Sequence, residues 1–444
     1  MPSQTSDMTL SAPAPAETAT ASKRLLGACS IGTFIEWYDF FVFASAAVVV
    51  FDQQFFPKFD PMTGVLLGLM TYSIGFISRP LGGIVFGYIG DRLGRKQALV
   101  WSLILMGGAT FAVGLVPSYA SIGVWAPVLL VLLRIIQGLA VGGEMGGAIL
   151  MVTESLDPKR RAFWAAWPLC GAMLGNAAAA GVLSILVYAM TPDAFSTWGW
   201  RIAFYLSGIL IVIGLWMRLS VEESPVFNRL KAQHAKAKPP SLTNALLRSR
   251  WQILSTLVIR AGENTLFYIF ITFGIVYLTR IVEVPRSTAL NAVMIASILE
   301  AISLLFLGML SDKIGRKPMM IGGLLLALVW SFLIFRILDN ATFAAATFAI
   351  SVGLLTHAVI AMGEVPYFVE AFPTEARYTG FSLGYQLGSV LSGAIAPFIG
   401  VALIEKYGST LPISLYCLVL VVPALIAAFL ARETLHTDLN AGDE

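Results

Sequence analysis

The chain has 444 residues, of which 57% are hydrophobic and 12% are charged, and its mean hydropathy is +0.79. A soluble domain carries about 25% charged residues, so this composition excludes an ordinary soluble protein and indicates a membrane protein surrounded by lipid. The net charge of +3 gives no indication of a nucleic-acid partner. The three cysteines and three histidines are not spaced like metal ligands, so we expect no cofactor.

The first 22 residues are rich in Ala, Thr, Ser and Pro and contain no Lys, Arg or apolar core. This composition predicts a disordered cytosolic tail and not a cleavable signal peptide. After it come twelve apolar runs of the length that a membrane-spanning helix needs, about 20 residues. The predicted spans are residues 24–50, 64–88, 97–117, 123–144, 161–189, 200–219, 251–279, 288–310, 318–337, 342–363, 378–404 and 409–431.

A polar, basic segment over residues 220–250 separates six of these spans from the other six. The sequence therefore predicts a six-helix bundle over residues 23–219, a cytosolic linker over 220–250, a second bundle over 251–432 and a cytosolic tail over 433–444. The fifth span is rich in Gly and Ala between Gly171 and Gly181, a composition typical of close helix packing.

A charged turn recurs between apolar runs. The sequence GYIGDRLGRK at residues 87–96 returns as GMLSDKIGRK at residues 308–317, which is 221 residues later. Such a repeat indicates a duplicated membrane protein with two pseudo-symmetric halves. Halves that move against each other are the basis of many transporters, so the repeat favours a transport function.

The basic residues set the predicted orientation. Twenty of the 29 Lys and Arg residues fall in segments on the side of the termini. Because Lys and Arg accumulate on the cytoplasmic side, both termini are predicted to be cytosolic. The opposite side holds five, Lys58, Arg280, Arg286, Arg336 and Lys406, and four lie in or at the ends of spans, Arg79, Arg134, Arg201 and Arg260.

Three ionisable side chains of the first two spans lie at similar membrane depth. Such groups cost about 2.5–3.5 kcal/mol on insertion scales and need partners or a water-filled cavity. Glu36 and Asp39 share a helix face, and Arg79 comes to nearly the same depth from the second span. Protonation of a carboxylate would loosen its pairing with Arg79, so we predict that Glu36 or Asp39 carries a proton. A permanent structural ion pair is the alternative.

Two further charged residues lie in the fourth span. Arg134 has no charged sequence neighbour, so its partner is expected on another helix or on an anionic substrate. Glu144, near the cytosolic end, is expected to bind the basic turn around residues 92–96 and so to close that side.

The second half has its own buried carboxylates. Glu263 and Asn264 lie about as deep in their span as Glu36 does, and we predict that they bind substrate or a coupling ion. A structural pair of Glu263 with Arg260, three residues before it, is the alternative. Glu300 falls 221 residues after Arg79, so the equivalent position carries the opposite charge. Aromatic residues near the charged positions, among them Tyr38 and Tyr385, are candidates to line a substrate cavity.

On these residues the chain resembles the major facilitator superfamily, and within it the metabolite:proton symporter branch, over nearly all of residues 25–432. The doubled charged turn carries the resemblance to the superfamily. The branch is indicated by EWYDF at residues 36–40, RPLGG at 79–83, WGWR at 198–201, ESP at 223–225 and RYTG at 377–380.

The resemblance implies the major facilitator fold, an all-α protein of twelve transmembrane helices in two six-helix bundles, and alternating access to a central cavity. It also implies that the two charged turns act as cytosolic latches. With Glu144 and its equivalent Glu364, at an offset of 220, the predicted cytosolic gate comprises Asp91, Arg92, Arg95, Glu144, Asp312, Arg316 and Glu364.

We therefore expect a monomeric symporter of the bacterial inner membrane that imports a small organic acid, shikimate-like or another carboxylate, with protons. In this hypothesis Arg79 and Arg134 bind the carboxylate, since guanidinium suits that group, and Glu36 or Asp39 carries the proton. The remaining substrate-binding candidates are Tyr38, Glu263, Asn264 and Tyr385. A symporter of a zwitterionic osmolyte such as proline or betaine, and an exporter or antiporter of organic acids, are the alternatives.

Overall fold

A computed structural model of the protein describes residues 15–93, 95–142, 144–220, 246–373, 377–393, 395–435 and 437. This part of the chain is helical and contains no strand. Most of the predicted N-terminal tail, linker and C-terminal tail lies outside the described residues.

Within the described residues, the first half contains seven long helices. These are α1 (Pro15–Val49), α2 (Pro61–Leu93), α3 (Arg95–Leu115), α4 (Trp125–Val141), α5 (Glu144–Ser155), α6 (Arg161–Ala189) and α7 (Arg201–Ser220). The second half also contains seven. These are α8 (Arg250–Tyr268), α9 (Arg286–Ile314), α10 (Arg316–Leu338), α11 (Phe343–Glu370), α12 (Arg377–Ser392), α13 (Ala396–Tyr407) and α14 (Leu411–Leu430).

Shorter helical segments connect or extend these helices. Phe51–Phe55 follows α1, and α8 continues through the π-helical segments Ile269–Phe273 and Tyr277–Ile281, with the turn Gly274–Val276 between them. The other short segments are Tyr119–Ile122, Pro158–Arg160, Pro192–Ala194 and Phe195–Gly199.

Twelve membrane crossings were expected, and the fold agrees. Within the described residues, eleven stretches are long and apolar enough to cross a membrane, and the shorter apolar helix Val100–Leu115 covers the remaining predicted span. The crossing Trp125–Ser155 combines α4 with α5, and the crossing Thr379–Tyr407 combines most of α12 with α13. One boundary differs, because α1 begins at Pro15 and residues 15–22, predicted as tail, are helical.

The two halves meet mainly through α6 and α9, which form the most extensive helix contact in the described structure. A second contact joins α2 to α12. At the first contact the Asn176 amide donates to Ser297 Oγ at 2.8 Å, and the Cys170 thiol donates to the Ala301 carbonyl at 3.0 Å. Large apolar side chains such as Ile209, Phe306 and Phe429 are exposed on the outer surface, as expected for helices that face lipid.

The Gly-rich part of α6 lets α1 approach closely, as the sequence predicted. A Cβ atom at Gly171 would overlap the Ser30 carbonyl oxygen, and one at Gly175 would overlap the Phe34 carbonyl oxygen. Small residues at such contacts allow helix backbones to touch in a membrane. The α1–α6 contact therefore depends on the missing side chains.

Replacing Gly171 by leucine should push α1 away from α6 and lower the melting temperature of the purified protein. Overpacking of this kind costs about 1–3 kcal/mol or more. The matched variant Gly108→Leu should melt like the wild type, because a Cβ atom there meets nothing within 4 Å. Thermal melting in detergent measures both variants, and equal melting temperatures for all three proteins would contradict this account of the contact.

The second charged turn needs glycine for a different reason. Gly315, between α9 and α10, has φ +104° and ψ +166°, a backbone conformation open almost only to glycine. The turn lets α10 start directly after α9 ends, and this sharp reversal holds Asp312 and Arg316 next to each other at the end of the pair.

Candidate functional site

A small cavity lies within the first half, between α1, α2, α3 and α4. Its walls include the four ionisable side chains that the sequence placed at membrane depth, Glu36, Asp39, Arg79 and Arg134. The volume of this cavity is about 10 Å³. That is room for about one water molecule. The remaining wall residues are Phe40, Gly75, Met106, Gln137, Gly138 and Val141.

Arg79 is a buried cation without an anionic partner among the described residues. Its guanidinium carbon lies 4.4 Å from the centre of the Phe40 ring and 4.5 Å from that of Phe76. The ion pair expected with Glu36 or Asp39 is not formed, and the Arg79 Nε has no hydrogen-bond partner in the described structure. Stacking on the two rings holds the guanidinium at the cavity wall, where an anion can reach it.

Arg134 is held more firmly than Arg79. Its Nη1 donates to Gln137 Oε1 at 2.7 Å, and its Nε donates to the Tyr72 carbonyl at 3.3 Å. Gln137 in turn donates to Thr110 Oγ1 at 2.5 Å. Arg134 therefore has one partner on another helix, as expected, the Tyr72 carbonyl of α2, and a second, neutral partner on its own helix, Gln137. The Arg134 Nη2 has no partner in the described part of the chain, so one donor remains for a ligand.

The two carboxylates of α1 occupy the same cavity with different partners. Asp39 Oδ1 accepts a hydrogen bond from Ser207 Oγ at 2.6 Å, while its Oδ2 has no described partner. Glu36 Oε2 also has no described partner, and the charges of Arg79 and Arg218 act on this carboxylate. Each acid therefore keeps one oxygen free to take a proton or a hydrogen bond.

Tyr38, predicted to bind substrate, lies elsewhere. Its hydroxyl donates to the Ala203 carbonyl at 2.7 Å, away from the cavity. Two residues along a helix correspond to a rotation of about 200°, so a side chain between Glu36 and Asp39 in sequence faces a different neighbour. This geometry decides against Tyr38 as part of the cavity wall.

An aromatic layer separates the cavity from the second half. Phe40 lies 5.1 Å from Phe76, which lies 5.5 Å from Tyr268, and Trp37 lies 6.3 Å from Phe267, measured between ring centres. The expected chamber between the halves is therefore filled by aromatic side chains in this structure.

A buried polar network lies beyond this layer and consists of Arg260, Glu263, Glu300, His357 and Glu364, which we call the second-half network. Arg260 Nη1 lies 2.6 Å from Glu263 Oε2 and 3.0 Å from Glu364 Oε1. The His357 Nε2 contacts Glu263 Oε1, and its Nδ1 contacts Glu300 Oε1. The three glutamates are fully buried, so α8, α9 and α11 share one set of charges.

The second-half residues predicted to bind substrate are close to this network but not in the first-half cavity. Glu263 forms the pair with Arg260 that the sequence left open as an alternative. Asn264 donates to Ser392 Oγ at 3.2 Å and has a free carbonyl oxygen, and the Tyr385 ring centre lies 4.0 Å from the Arg260 guanidinium carbon. The two predicted groups of site residues therefore occupy separate places.

The face of the protein on the side of the termini is closed by contacts between the halves. Asp312 accepts from the backbone amides of Ala162 and Phe163 at the N-terminus of α6, both at 3.0 Å. Arg316 Nη1 lies 2.9 Å from Asp312 Oδ1, and its Nη2 lies 3.0 Å from Glu370 Oε1. Negative charge is favourable at a helix N-terminus. Asp312 and Arg316 thus lie at a contact between the two halves, and their role as a latch stays a prediction.

The predicted gate needs one correction and remains partly undescribed. Glu364 bonds to Arg260 inside the second-half network, and Glu370, less than two turns further along α11, reaches Arg316 instead. The side chains of the remaining gate candidates lie outside the described residues, namely Asp91, Arg92, Arg95 and Glu144.

The opposite face is held by a different ion pair. Arg280 Nη2, in the segment that extends α8, lies 2.6 Å from Asp52 Oδ2, just after α1, and also donates to the Val48 carbonyl at 3.3 Å. This pair joins the two halves, since Asp52 belongs to the first and Arg280 to the second. Contacts between the halves are therefore present on both faces of the described structure.

Replacing Asp52 by asparagine should favour a state that is open on this opposite face, because the change removes the charge of a half-to-half pair. Spin labels at Lys58 and Lys406, which are exposed there on different halves, should show longer distances. The matched change Asp60→Asn, at an exposed acid that only caps Thr63, should leave the distances unchanged. Identical distance distributions for all three proteins would show that the pair does not hold the face closed.

His357 and Glu370 were missed by sequence reasoning. The repeat contained a signal for the first: His357 lies 220 residues after Gln137, which is the partner of Arg134, just as Glu364 lies 220 after Glu144. The wide spacing of the three histidines argues against a metal site, but it does not show that one of them lies between two carboxylates. Glu370 had no such signal, since its partner Arg316 lies 54 residues away.

Comparison with known proteins agrees with the fold. A family model described as "Sugar (and other) transporter" matches residues 26–242, and one described as "Major Facilitator Superfamily" matches residues 265–443. The inner membrane metabolite transport protein YhjE of Escherichia coli is 38% identical, over 94% of this chain and 95% of its own. The shikimate transporter of Escherichia coli is 36% identical over 91% of this chain and 93% of its own. The proline/betaine transporter of Salmonella typhimurium is 32% identical over 94% of this chain and 85% of its own.

Solved structures show the same architecture. The proton:xylose symporter XylE bound to 6-bromo-6-deoxy-D-glucose aligns with a TM-score of 0.70 at 18% identity, over 94% of this chain and 97% of that one. The inward-open conformation of XylE from E. coli aligns with a TM-score of 0.68 at 17% identity, over 95% of this chain and 99% of that one. At this identity the likeness concerns the fold alone.

The helical membrane fold, the two family models and the relatives of similar length together identify a multi-pass membrane transporter of small molecules and not an enzyme. The relatives of similar length transport metabolites. The chain belongs to the major facilitator superfamily, where it groups with the metabolite, shikimate and proline/betaine transporters.

Proposed function

We propose that the protein is a proton-coupled symporter that imports a small organic acid, shikimate-like or another carboxylate, by alternating access. The observation that carries the proposal is the buried guanidinium of Arg79, which faces a cavity without an anionic partner among the described residues. A buried charge without a partner is costly, and a substrate carboxylate would remove that cost.

In this mechanism the two arginines of the cavity bind the substrate, and one of the two acids binds the proton. Arg79, and the free Nη2 of Arg134, donate hydrogen bonds to the substrate carboxylate. A proton from the outside solution binds Asp39 or Glu36, which lowers the negative charge that the anion meets in the same cavity. When the face on the side of the termini then opens, the proton and the substrate leave together into the cytosol and the free carboxylate is restored.

The relatives support the choice of substrate class, because a protein named as a shikimate transporter is 36% identical over most of both chains. The excess of Lys and Arg on the side of the termini supports an orientation with both termini in the cytosol. We place the protein in a bacterial inner membrane as a monomer, driven by the proton gradient without a cofactor.

Uptake into proteoliposomes tests the proposal directly. With an acidic outside solution, a labelled carboxylate such as shikimate should accumulate against its gradient, and an uncoupler should abolish that accumulation. Accumulation that continues with the uncoupler present and does not depend on pH would refute proton coupling.

Asp39→Asn should separate binding from coupling. Because asparagine accepts the Ser207 hydrogen bond but cannot take up a proton, exchange of substrate down its gradient should persist while uphill transport is lost. Exchange and uphill uptake are measured in the same vesicles. Normal uphill transport by this variant would show that Asp39 is not the coupling residue.

A zwitterionic osmolyte is the second candidate, and one feature of the cavity favours it. Glu36 and Asp39 lie beside two guanidinium groups, so the cavity offers partners to a substrate ammonium as well as to its carboxylate. Betaine or proline should then raise the melting temperature where shikimate does not, since a ligand that prefers the folded state stabilises it. Export instead of import would appear as the opposite sidedness of the pH effect.

A further inference from the structure

The hydrogen bonds of His357 require one proton more than a neutral imidazole between two ionised carboxylates provides. Each ring nitrogen faces a carboxylate oxygen. The Nε2 faces Glu263 Oε1, and the Nδ1 faces Glu300 Oε1. A neutral imidazole has one N–H donor and one bare nitrogen, and an ionised carboxylate only accepts. With both contacts made, a second proton must lie on the bare nitrogen or on the carboxylate that faces it.

The charges of the second-half network lead to the same requirement. Three fully buried glutamates share one arginine and one histidine. With every acid ionised and the imidazole neutral, the network carries two excess negative charges inside the membrane, and protonation of His357 removes one of them. Glu300 Oε2 and Glu364 Oε2 have no partner among the described residues, so either can hold a further proton.

No other cation compensates these charges in the described structure around the network. From α8 the phenol of Tyr268, from α12 the phenol of Tyr385 and from α6 the thiol of Cys170 face its members. Arg260 is shared between two glutamates, and Phe267 stacks on the His357 ring with centres 4.4 Å apart. Protons are therefore the means by which this site approaches neutrality.

The network is also attached to the contact between the halves. Glu300 lies on α9 between Ser297 and Ala301, and these two residues accept hydrogen bonds from Asn176 and Cys170 of the first half. The position of Glu300 is fixed by His357 of α11. Loss of the proton shared by His357 and Glu300 would weaken that contact between α9 and α11 at the level where α9 meets the first half.

We propose that the second-half network is a proton-binding site of its own, apart from Glu36 and Asp39, and that its exchangeable proton is shared between His357 and Glu300. Binding takes one proton from water and adds it to the bare nitrogen or the facing carboxylate. Release returns the proton to water and breaks no other bond. Only the assignment of this proton to the transport cycle rests on the proposed symport.

The chain offers a direct way to observe this site, since His357 is one of only three histidines. Replacing His234 and His436 by glutamine leaves His357 as the single histidine of the purified protein, which is isolated with a streptavidin-binding tag. Nitrogen-15 NMR of labelled histidine then reports whether one or both ring nitrogens carry a proton. The measurement uses neither substrate nor a proton gradient.

Both ring nitrogens should carry protons in mildly acidic buffer, and one proton should be lost in mildly alkaline buffer. In Glu300→Gln the amide N–H of glutamine can donate to the bare nitrogen, so the imidazole should be neutral in both buffers and the pH-dependent signal lost. The matched variant Glu405→Gln, at an exposed glutamate far along the chain, should keep the signal, as should Asp39→Asn.

An imidazole with the same protonation in both buffers would overturn the proposal, and this result needs no network variant to fold. A pH-dependent signal that survives Glu300→Gln unchanged would overturn the role of Glu300. If the uncoupler does not change uptake while the His357 signal still depends on pH, the proposed symport would be refuted and the proton-binding site would remain supported.

Discussion

Replacing Arg79 by glutamine should reduce uptake of the organic acid about 10- to 150-fold, because hydrogen bonds to charged groups are worth about 1.5–3 kcal/mol. Arg79 makes no ion pair with a described residue, and the charge of Arg218 still acts on Glu36 when Arg79 is replaced. The melting temperature should therefore change little. Initial uptake rates in proteoliposomes and thermal melting in detergent measure the two effects.

The controls separate the geometry of the guanidinium from its charge. Arg79→Lys keeps the charge but not the flat, two-pronged donor, so its uptake should lie between those of the wild type and Arg79→Gln. Arg336→Gln, at an exposed arginine on the opposite face, should transport normally. Wild-type uptake by Arg79→Gln would remove the central residue of the proposed site.

Replacing Asp312 by asparagine should open the face on the side of the termini. Asp312 receives two backbone hydrogen bonds from the N-terminus of α6 and the charge of Arg316. Losing the negative charge weakens both interactions. At about 1.5–3 kcal/mol, the ratio of closed to open molecules should fall about 10-fold or more. Distances between spin labels on the exposed residues Lys159 and Arg248, one on each half, measure the opening.

The comparison with the opposite face makes this result specific. Asp52→Asn should lengthen distances only between Lys58 and Lys406, and Asp312→Asn only between Lys159 and Arg248. A variant that lengthens both pairs would indicate general loosening of the structure. Unchanged distances in Asp312→Asn would show that the contact with α6 does not hold this face closed.

Hydrophobic length and the charge repeat made the fold predictable from the sequence. Each crossing had to be a long apolar helix, because a backbone in lipid must satisfy its own hydrogen bonds. The repeat at residues 87–96 and 308–317 divided these helices into two halves. Its second copy also contains Asp312 and Arg316, which form an ion pair where α9 meets the N-terminus of α6.

The sites were harder to predict, because helix periodicity does not say which neighbour a side chain meets. Arg79 and Glu36 lie at one depth, as expected, but Phe40 and Phe76 hold the guanidinium instead of a carboxylate. Glu364 and Glu370 differ by six residues on one helix, and only the packing of α10 and α8 against α11 determines which of them Arg316 contacts.

By itself the sequence determined that this chain crosses the membrane about twelve times in two related halves and carries costly charges at mid-membrane, because hydrophobicity and buried charge act locally along a helix. Only the tertiary structure decided that these charges form two separate groups, one around Arg79 in the first half and one around His357 in the second. The reason is that hydrogen bonds and ion pairs depend on which helix faces meet, and those faces are set by packing across the whole protein.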